Sequence, residues 1–181
     1  MREISVDAST TCTGWAVWED DVLIDYGKIK PDKKLFWRDR LKIMVKELSG
    51  IICKYKPTKA YQEEVPLAPK GGIKTAVLLG VTQGAILALY WIYNIEYTFI
   101  NVGTWRHDIG INTGDKNRDS KKIRSINKAN ELFNLDLKCV FTKGGKYDGD
   151  KSDDDIADAI LVKASTVSKY CQKPIIKGFV K

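Results

Sequence analysis

The chain begins with short runs in which apolar and polar residues alternate. It continues in longer runs where apolar residues recur every three or four positions. Residues 4–9, 14–18 and 22–29 read as three strands, the last two separated by the acidic turn Glu19-Asp20-Asp21, which predicts an antiparallel meander. Residues 33–55 carry Leu35, Phe36, Leu41, Ile43, Met44, Val45, Leu48, Ile51 and Ile52 in a helical pattern. Pro57, which lacks the N–H a helix needs, stops it. Residues 58–65 read as a fourth strand ended by Pro66, and a Pro/Gly/Lys loop leads into an apolar helix over residues 76–93. Residues 95–102 read as a fifth strand, 104–116 as irregular, 120–133 as helical and 135–151 as a glycine- and charge-rich loop. Residues 153–169 predict the last helix, with Ser152 or Asp153 as its N-cap. Strands alternating with helices after a meander predict one α/β domain over residues 1–181. Its mixed five-stranded sheet, three antiparallel strands and then parallel ones, is covered by helices on both faces.

Composition narrows the class. The chain has 181 residues, 44% hydrophobic and 29% charged, which suits a folded globular protein. Its formal charge of +7 favours a polyanionic partner. Cys12, Cys53, Cys139 and Cys171 form no C-x-x-C pair and His107 is the only histidine, so neither a structural zinc site nor a disulfide framework is expected. Residues 1–10 hold no apolar stretch of the kind a secretory signal needs, and the expected setting is a reducing cytoplasm. Residues 76–93 are just long enough for a short membrane span. Thr82 and Gln83 interrupt the centre, and Lys70 and Lys74 precede it, so we read a buried core helix and no membrane partner.

Against this basic background, Asp148, Asp150, Asp153, Asp154, Asp155 and Asp158 crowd one short stretch. Asp155 and Asp158, at i, i+3, fall on one face of a helix start. Asp7 interrupts an apolar strand, and Glu63 and Glu64 close another. Read singly, each has an ordinary explanation: a turn cap, a solvated strand end, or an acid favoured by the helix dipole. Read together, two strands and a helix each bring a carboxylate to an element end, and such ends converge on one crevice in an α/β sheet. Carboxylates without His or Cys partners suit hard cations, Mg²⁺ or Mn²⁺. Two such ions, about 3.5–4 Å apart, activate a water and stabilise the leaving 3′ oxygen of a phosphodiester.

These segments resemble a known family. Ser5-Val6-Asp7-Ala8-Ser9 followed by Thr13-Gly14-Trp15-Ala16-Val17 is similar to the opening of RuvC-type Holliday junction resolvases. Glu63-Glu64-Val65 with Leu79-Gly80-Val81-Thr82-Gln83-Gly84 resembles their glutamate strand and next helix, and Asp155-Ile156-Ala157-Asp158-Ala159-Ile160 their closing D-x-x-D-A helix. The resemblance implies an RNase H-like fold and a Mg²⁺-dependent endonuclease that cuts Holliday junctions and other branched DNA, leaving 5′-phosphate ends. It implies Asp7, Glu63, Asp155 and Asp158 as a metal-binding catalytic tetrad, with Asp154 as the alternative if the helix is shifted by one residue. The small size and divergent middle look like a phage-encoded member. Pro66 and Pro69 depart from the family, and its lysine-bearing stretch is matched only loosely by Lys116, Arg118, Lys121 and Lys122.

Two basic groups are the expected DNA contacts: Lys70 and Lys74 beside the glutamate strand, and Arg106, Lys116, Arg118, Lys121, Lys122 and Arg124 before and along the third helix. Trp105 beside Arg106, or Phe36-Trp37 near Arg38, offers rings for unpaired bases, although such aromatics are more often core or interface residues. The apolar helix, with Gly80, Gly84 and Ala88 permitting close approach, predicts a two-fold homodimer presenting two sites to a four-way junction. The rival readings are an RNase H-like nuclease on RNA–DNA hybrids, an actin- or kinase-type ATP-binding fragment, and a non-catalytic branched-DNA-binding protein.

Overall fold

A computed structural model describes residues 1–65, 72–115 and 117–171. Three antiparallel strands come first: β1 (Arg2–Ala8), β2 (Thr13–Glu19) and β3 (Val22–Ile29). Helix α1 (Trp37–Tyr55) follows, then β4 (Lys59–Glu63), α2 (Gly72–Ile92) and β5 (Glu96–Ile100), and β4 and β5 pair parallel to β1 and to each other. The sheet order is β3-β2-β1-β4-β5. Helices α3 (Val102–Asp108), α4 (Arg118–Phe133) and α5 (Asp154–Ala164) complete the fold. The mixed five-stranded sheet expected from the sequence is therefore observed.

Side-chain alternation along the strands sorts the core into two layers. Ile4 and Val6 of β1 pack with Val17, Ile29 and Ala60 against Met44, Leu48 and Ile52 of α1 and Ile86, Leu89 and Tyr90 of α2. The opposite face, with Ala16, Trp18 and Tyr61, packs against Trp105 of α3, Ile126 and Ala129 of α4, and Ile156, Ile160 and Leu161 of α5. Residues 3, 5 and 7 of β1 share this second face. Glu3 accepts from the Tyr61 hydroxyl at 3.0 Å and pairs with Lys163 of α5 at 2.8 Å, and Ser5 accepts from Trp18 Nε1 at 2.9 Å. Asp7 comes next in the same register, so strand geometry turns it toward α5.

Three expectations are corrected. Residues 104–116 are not wholly irregular, because Asn101 caps α3 by accepting from the Gly103 N–H at 2.8 Å, while Trp105 buries in the core. The last helix is shorter than its sequence pattern, since Ser165 and Thr166 turn their hydroxyls back onto the carbonyls of Val162 and Lys163. The chain then leaves through a 3-10 turn, Ser168–Tyr170. Helix α2 is a core helix on one face only: Ile86, Leu89 and Tyr90 are buried, yet the helix is long and apolar enough to cross a membrane by length and composition, and only 22% of its apolar window is buried. Its Ile73, Val77, Val81 and Trp91 are exposed, and space beside Gly80 and Gly84 is open.

Candidate active site

The site forms where β1, β4 and α5 end close together. Helix α5 is the most enclosed of the helices, with every residue except Asp155 buried. It reaches β2 at Gly14, where an added Cβ would stand 1.8 Å from the carbonyl oxygen of Asp155. Only glycine permits that approach, which brings the first turn of α5, with Asp155 and Asp158, up to the sheet. Asp7, Asp154, Asp155 and Asp158 line one cleft of about 430 Å³ with Arg106, Arg118, Lys121, Lys122 and Arg124. Glu63 does not line this cleft; it sits on the same face of β4 as Tyr61 and accepts from Trp105 Nε1 at 2.8 Å. Glu64 is exposed beyond the strand end, its N–H bonded to the Ile100 carbonyl.

The carboxylates repel one another. Burial, and then Glu63, Asp158 and Asp155, push the Asp7 carboxyl well above the usual range, against the pull of Lys122. Among the described residues no hydrogen bond or ion pair reaches the Asp7 carboxylate. Glu63 is pushed up to about 7 by burial and by Asp158, opposed by the Trp105 N–H and Arg106. Burial likewise raises Asp158, opposed first by Arg106, whose Nη2 donates to both carboxylate oxygens at 2.9 and 3.2 Å. Burial and the neighbouring Asp155 raise the Cys12 thiol. The centre is thus short of positive charge at the Asp7 end.

This donor set fits a hard divalent cation, being all carboxylate oxygen with no imidazole or thiolate among the predicted ligands. Among the described residues no group of three or more His, Cys, Asp and Glu stands close enough to cage an ion. Arg106 and Lys122 instead hold Asp158 and Asp154.

Of the two N-cap candidates, Ser152 and Asp153, the structure selects Asp153. Asp153 occupies the N-cap without a capping side-chain bond, accepting instead from Lys28 and from the Lys138 N–H. Asp154, the alternative tetrad member, is buried, accepting from the Tyr147 hydroxyl at 2.7 Å and paired with Lys122. Burial alone would lower the Lys122 ammonium, and Asp154 more than reverses it, leaving it raised.

A second cleft, of about 600 Å³, shares Ser9, Arg118, Lys122 and Asp155 with the first and adds Lys30, Lys33, Thr142, Lys146 and Tyr147. Asp150, in the glycine- and charge-rich loop, pairs with both Lys30 and Lys33.

The chain is 27% identical over 179 residues to the crossover junction endodeoxyribonuclease RuvC of Halothermothrix orenii, with 94% of each chain covered. A 30% identical match to the same enzyme of Chloroherpeton thalassium spans 101 residues, 54% of this chain and about half, 53%, of that relative. The solved structure of Thermus thermophilus RuvC in complex with a Holliday junction substrate superposes with a TM-score of 0.67 at 12% identity, covering 94% of this chain and 93% of that one. The chain is similar to the RuvC-type junction resolvases in sequence and in fold. No protein-family profile matches it. The resemblance carried by short segments at Asp7, Glu63 and Asp155 thus extends to the whole RuvC architecture, including its RNase H-like sheet.

Of the basic residues expected to meet DNA in this RuvC-like chain, the structure gathers Arg106, Arg118, Lys121, Lys122 and Arg124 around the carboxylates. Lys74 is exposed on the first turn of α2, away from both clefts. Lys70 and Lys116 lie outside the described residues. Sequence reasoning missed Lys30, Lys33 and Lys146. The only signal for the first two was the basic run Lys28-Ile29-Lys30-Pro31-Asp32-Lys33-Lys34, which looked like a solvated turn. It also missed the hydrogen bond from Trp105 to Glu63.

Proposed function

We propose that this chain is a divalent-metal-dependent, structure-selective endodeoxyribonuclease that cuts four-way junctions by phosphodiester hydrolysis. The observation that carries this reading is that Asp7, Asp155 and Asp158 line one cleft walled by Arg106, Arg118, Lys121, Lys122 and Arg124, with Glu63 near enough to Asp7 to raise its carboxyl. The crossover junction endodeoxyribonuclease identity of its relatives and the Holliday junction bound by its structural neighbour support it. Asp7, Glu63, Asp155 and Asp158 would hold two Mg²⁺ ions, replaceable by Mn²⁺, with Asp7 the carboxylate least compensated by the protein's own cations. When bound, the metal supplies an activated water and relieves charge on the departing 3′ oxygen.

The protein's own groups prepare that chemistry. Trp105 holds Glu63 by its indole N–H, and Arg106 holds Asp158 by both oxygens. Gly14 leaves room for the backbone that bears Asp155. Arg118, Lys121, Lys122 and Arg124 line the wall along which phosphates would lie, and such contacts position a backbone without reading its sequence. The exposed apolar stripe of α2 supports a two-fold homodimer, with Gly80 and Gly84 allowing close packing. Four free cysteines suit a cytoplasmic setting.

The test offers the protein a synthetic four-way junction, a linear duplex and an RNA–DNA hybrid, each with Mg²⁺ or with EDTA. The junction should be cut to 5′-phosphate ends only with metal, and Asp7→Asn or Asp158→Asn should abolish cutting. A variant that cuts as well as the parent removes its carboxylate from the assignment. Preferential cutting of the hybrid would move the chain to the RNase H reading. Light scattering at micromolar concentration should give a dimer mass, and a monomer would count against the α2 interface.

A further inference from the structure

The segment between β3 and α1 borders the second cleft and carries apolar groups that the core does not use. Phe36 sits at the N-cap of α1, is 57% exposed and makes no capping side-chain bond. Its ring lies 5.9 Å from that of Trp37 at 47°, and the Arg38 guanidinium carbon stands 5.5 and 5.0 Å from the two ring centroids. The group is held against the site rim by Arg40. Arg40 Nε donates to the Thr10 carbonyl at 3.1 Å, and its Nη1 to the Leu35 carbonyl at 2.6 Å. Thr10 belongs to the turn that follows Asp7. Lys30 and Lys33, just before the aromatic pair, line the same cleft as Asp155.

We propose that Phe36, braced by Trp37 and Arg38, is a stacking site for unpaired DNA bases at a branch point, with Lys30 and Lys33 guiding the adjoining phosphates. Flat rings interleaved with cations suit single-stranded nucleic acid, because every base offers a π-face and every linkage a negative charge. Charge complementarity selects this occupant over a second copy of the chain. Lys30, Lys33, Lys34 and Arg38 outnumber Asp32 over nine residues, so that even with Asp150 paired to Lys30 and Lys33 the patch stays net positive and a two-fold contact here would set like charges against each other. The site also provides a reason for shape selectivity, since a perfect duplex has no free base to offer. This inference rests on the branched-DNA reading above and deepens it.

The experiment uses the cleavage-dead Asp7→Asn chain and a four-way junction with 2-aminopurine beside the branch point. Linear duplex and a single-stranded oligonucleotide serve as comparison ligands. With Phe36 intact, junction binding should change the 2-aminopurine emission. Adding Phe36→Ala should remove that change and weaken junction and single-strand binding about tenfold, as expected for one lost base–aromatic stack. Duplex affinity should stay within about twofold, because phosphate contacts remain. Phe36→Trp should restore both signals, and thermal melts should show all variants folded. The proposal is overturned if Phe36→Ala keeps the emission change and the junction affinity, or if it weakens duplex and junction equally. It is also overturned if the variant loses dimer mass while the emission change survives, for then a second copy covers the ring. If Asp7→Asn with Phe36 intact binds no DNA, the nuclease reading fails as well. If it binds the junction and only the Phe36 comparison is flat, the stacking inference alone fails.

Discussion

Gly14→Ala puts one methyl group where β2 meets the start of α5. The added Cβ would lie 1.8 Å from the carbonyl oxygen of Asp155, 2.4 Å from its carbonyl carbon and 3.0 Å from the Ile156 nitrogen. All three atoms are backbone, so no side chain can swing aside. Reaching the 3.0 Å that Cβ contacts essentially never fall below requires a displacement of about 1.2 Å. Helix α5 cannot slide freely, since it is buried along almost its whole length and Arg106 holds Asp158. The strain should cost about 1–3 kcal/mol, the usual range for overpacking a core. In a chain of this length that lowers the melting temperature by about 2–12 °C. A shift of about 1 Å also carries the Asp155 carboxylate away from Asp7, and such misplacement costs roughly 100-fold in rate. Scanning calorimetry reads the first effect and single-turnover junction cleavage the second, while a Mn²⁺ titration followed by electron paramagnetic resonance reads metal binding independently of cleavage. A variant melting within about 1 °C of the parent and cutting within about twofold would refute the argument that glycine sets the position of α5.

Two further outcomes follow from the same contacts. Trp105→Phe keeps most of the buried ring and deletes the N–H that Glu63 accepts, so the metal concentration giving half-maximal cleavage should rise several-fold and stability fall by about 1–3 kcal/mol; an unchanged metal midpoint would make Trp105 a packing residue only. Lys163→Met leaves Glu3 buried without its ammonium partner and should cost about 3–5 kcal/mol in a denaturant titration. Burial alone would lower the Lys163 ammonium, but Asp21 and Glu3 raise it above its ordinary value. Its stabilising contribution is therefore full below the unfolded value of about 10.4 and is lost as pH rises through the higher folded one. The parent should lose more stability than Lys163→Met across that alkaline window, and parallel pH profiles would contradict the pairing.

Local sequence determined the elements and the faces they present. Strand alternation puts Asp7 on the side of Ser5, and Glu63 on the side of Tyr61, because successive side chains must point to opposite faces. The i, i+3 spacing brings Asp155 and Asp158 onto one face of a helix start for an equally local reason. Where glycines and polar residues interrupted that periodicity, around Gly103 and Gly110, α3 was not legible, and its cap depends on one Asn101 side chain. Tertiary structure alone decided the partners. The indole of Trp105 and Glu63 lie 42 positions apart, Arg106 and Asp158 lie 52 apart, and Lys33 and Asp150 lie 117 apart. No pattern along the chain encodes such meetings, because they follow from how α3, α4 and α5 settle on the sheet. The same packing buried Asp154 against Tyr147 and Lys122, although nothing in its sequence distinguished it from the aspartates beside it. It also gave Gly14 its purpose, as the point where a helix backbone touches a strand with no room for a single carbon.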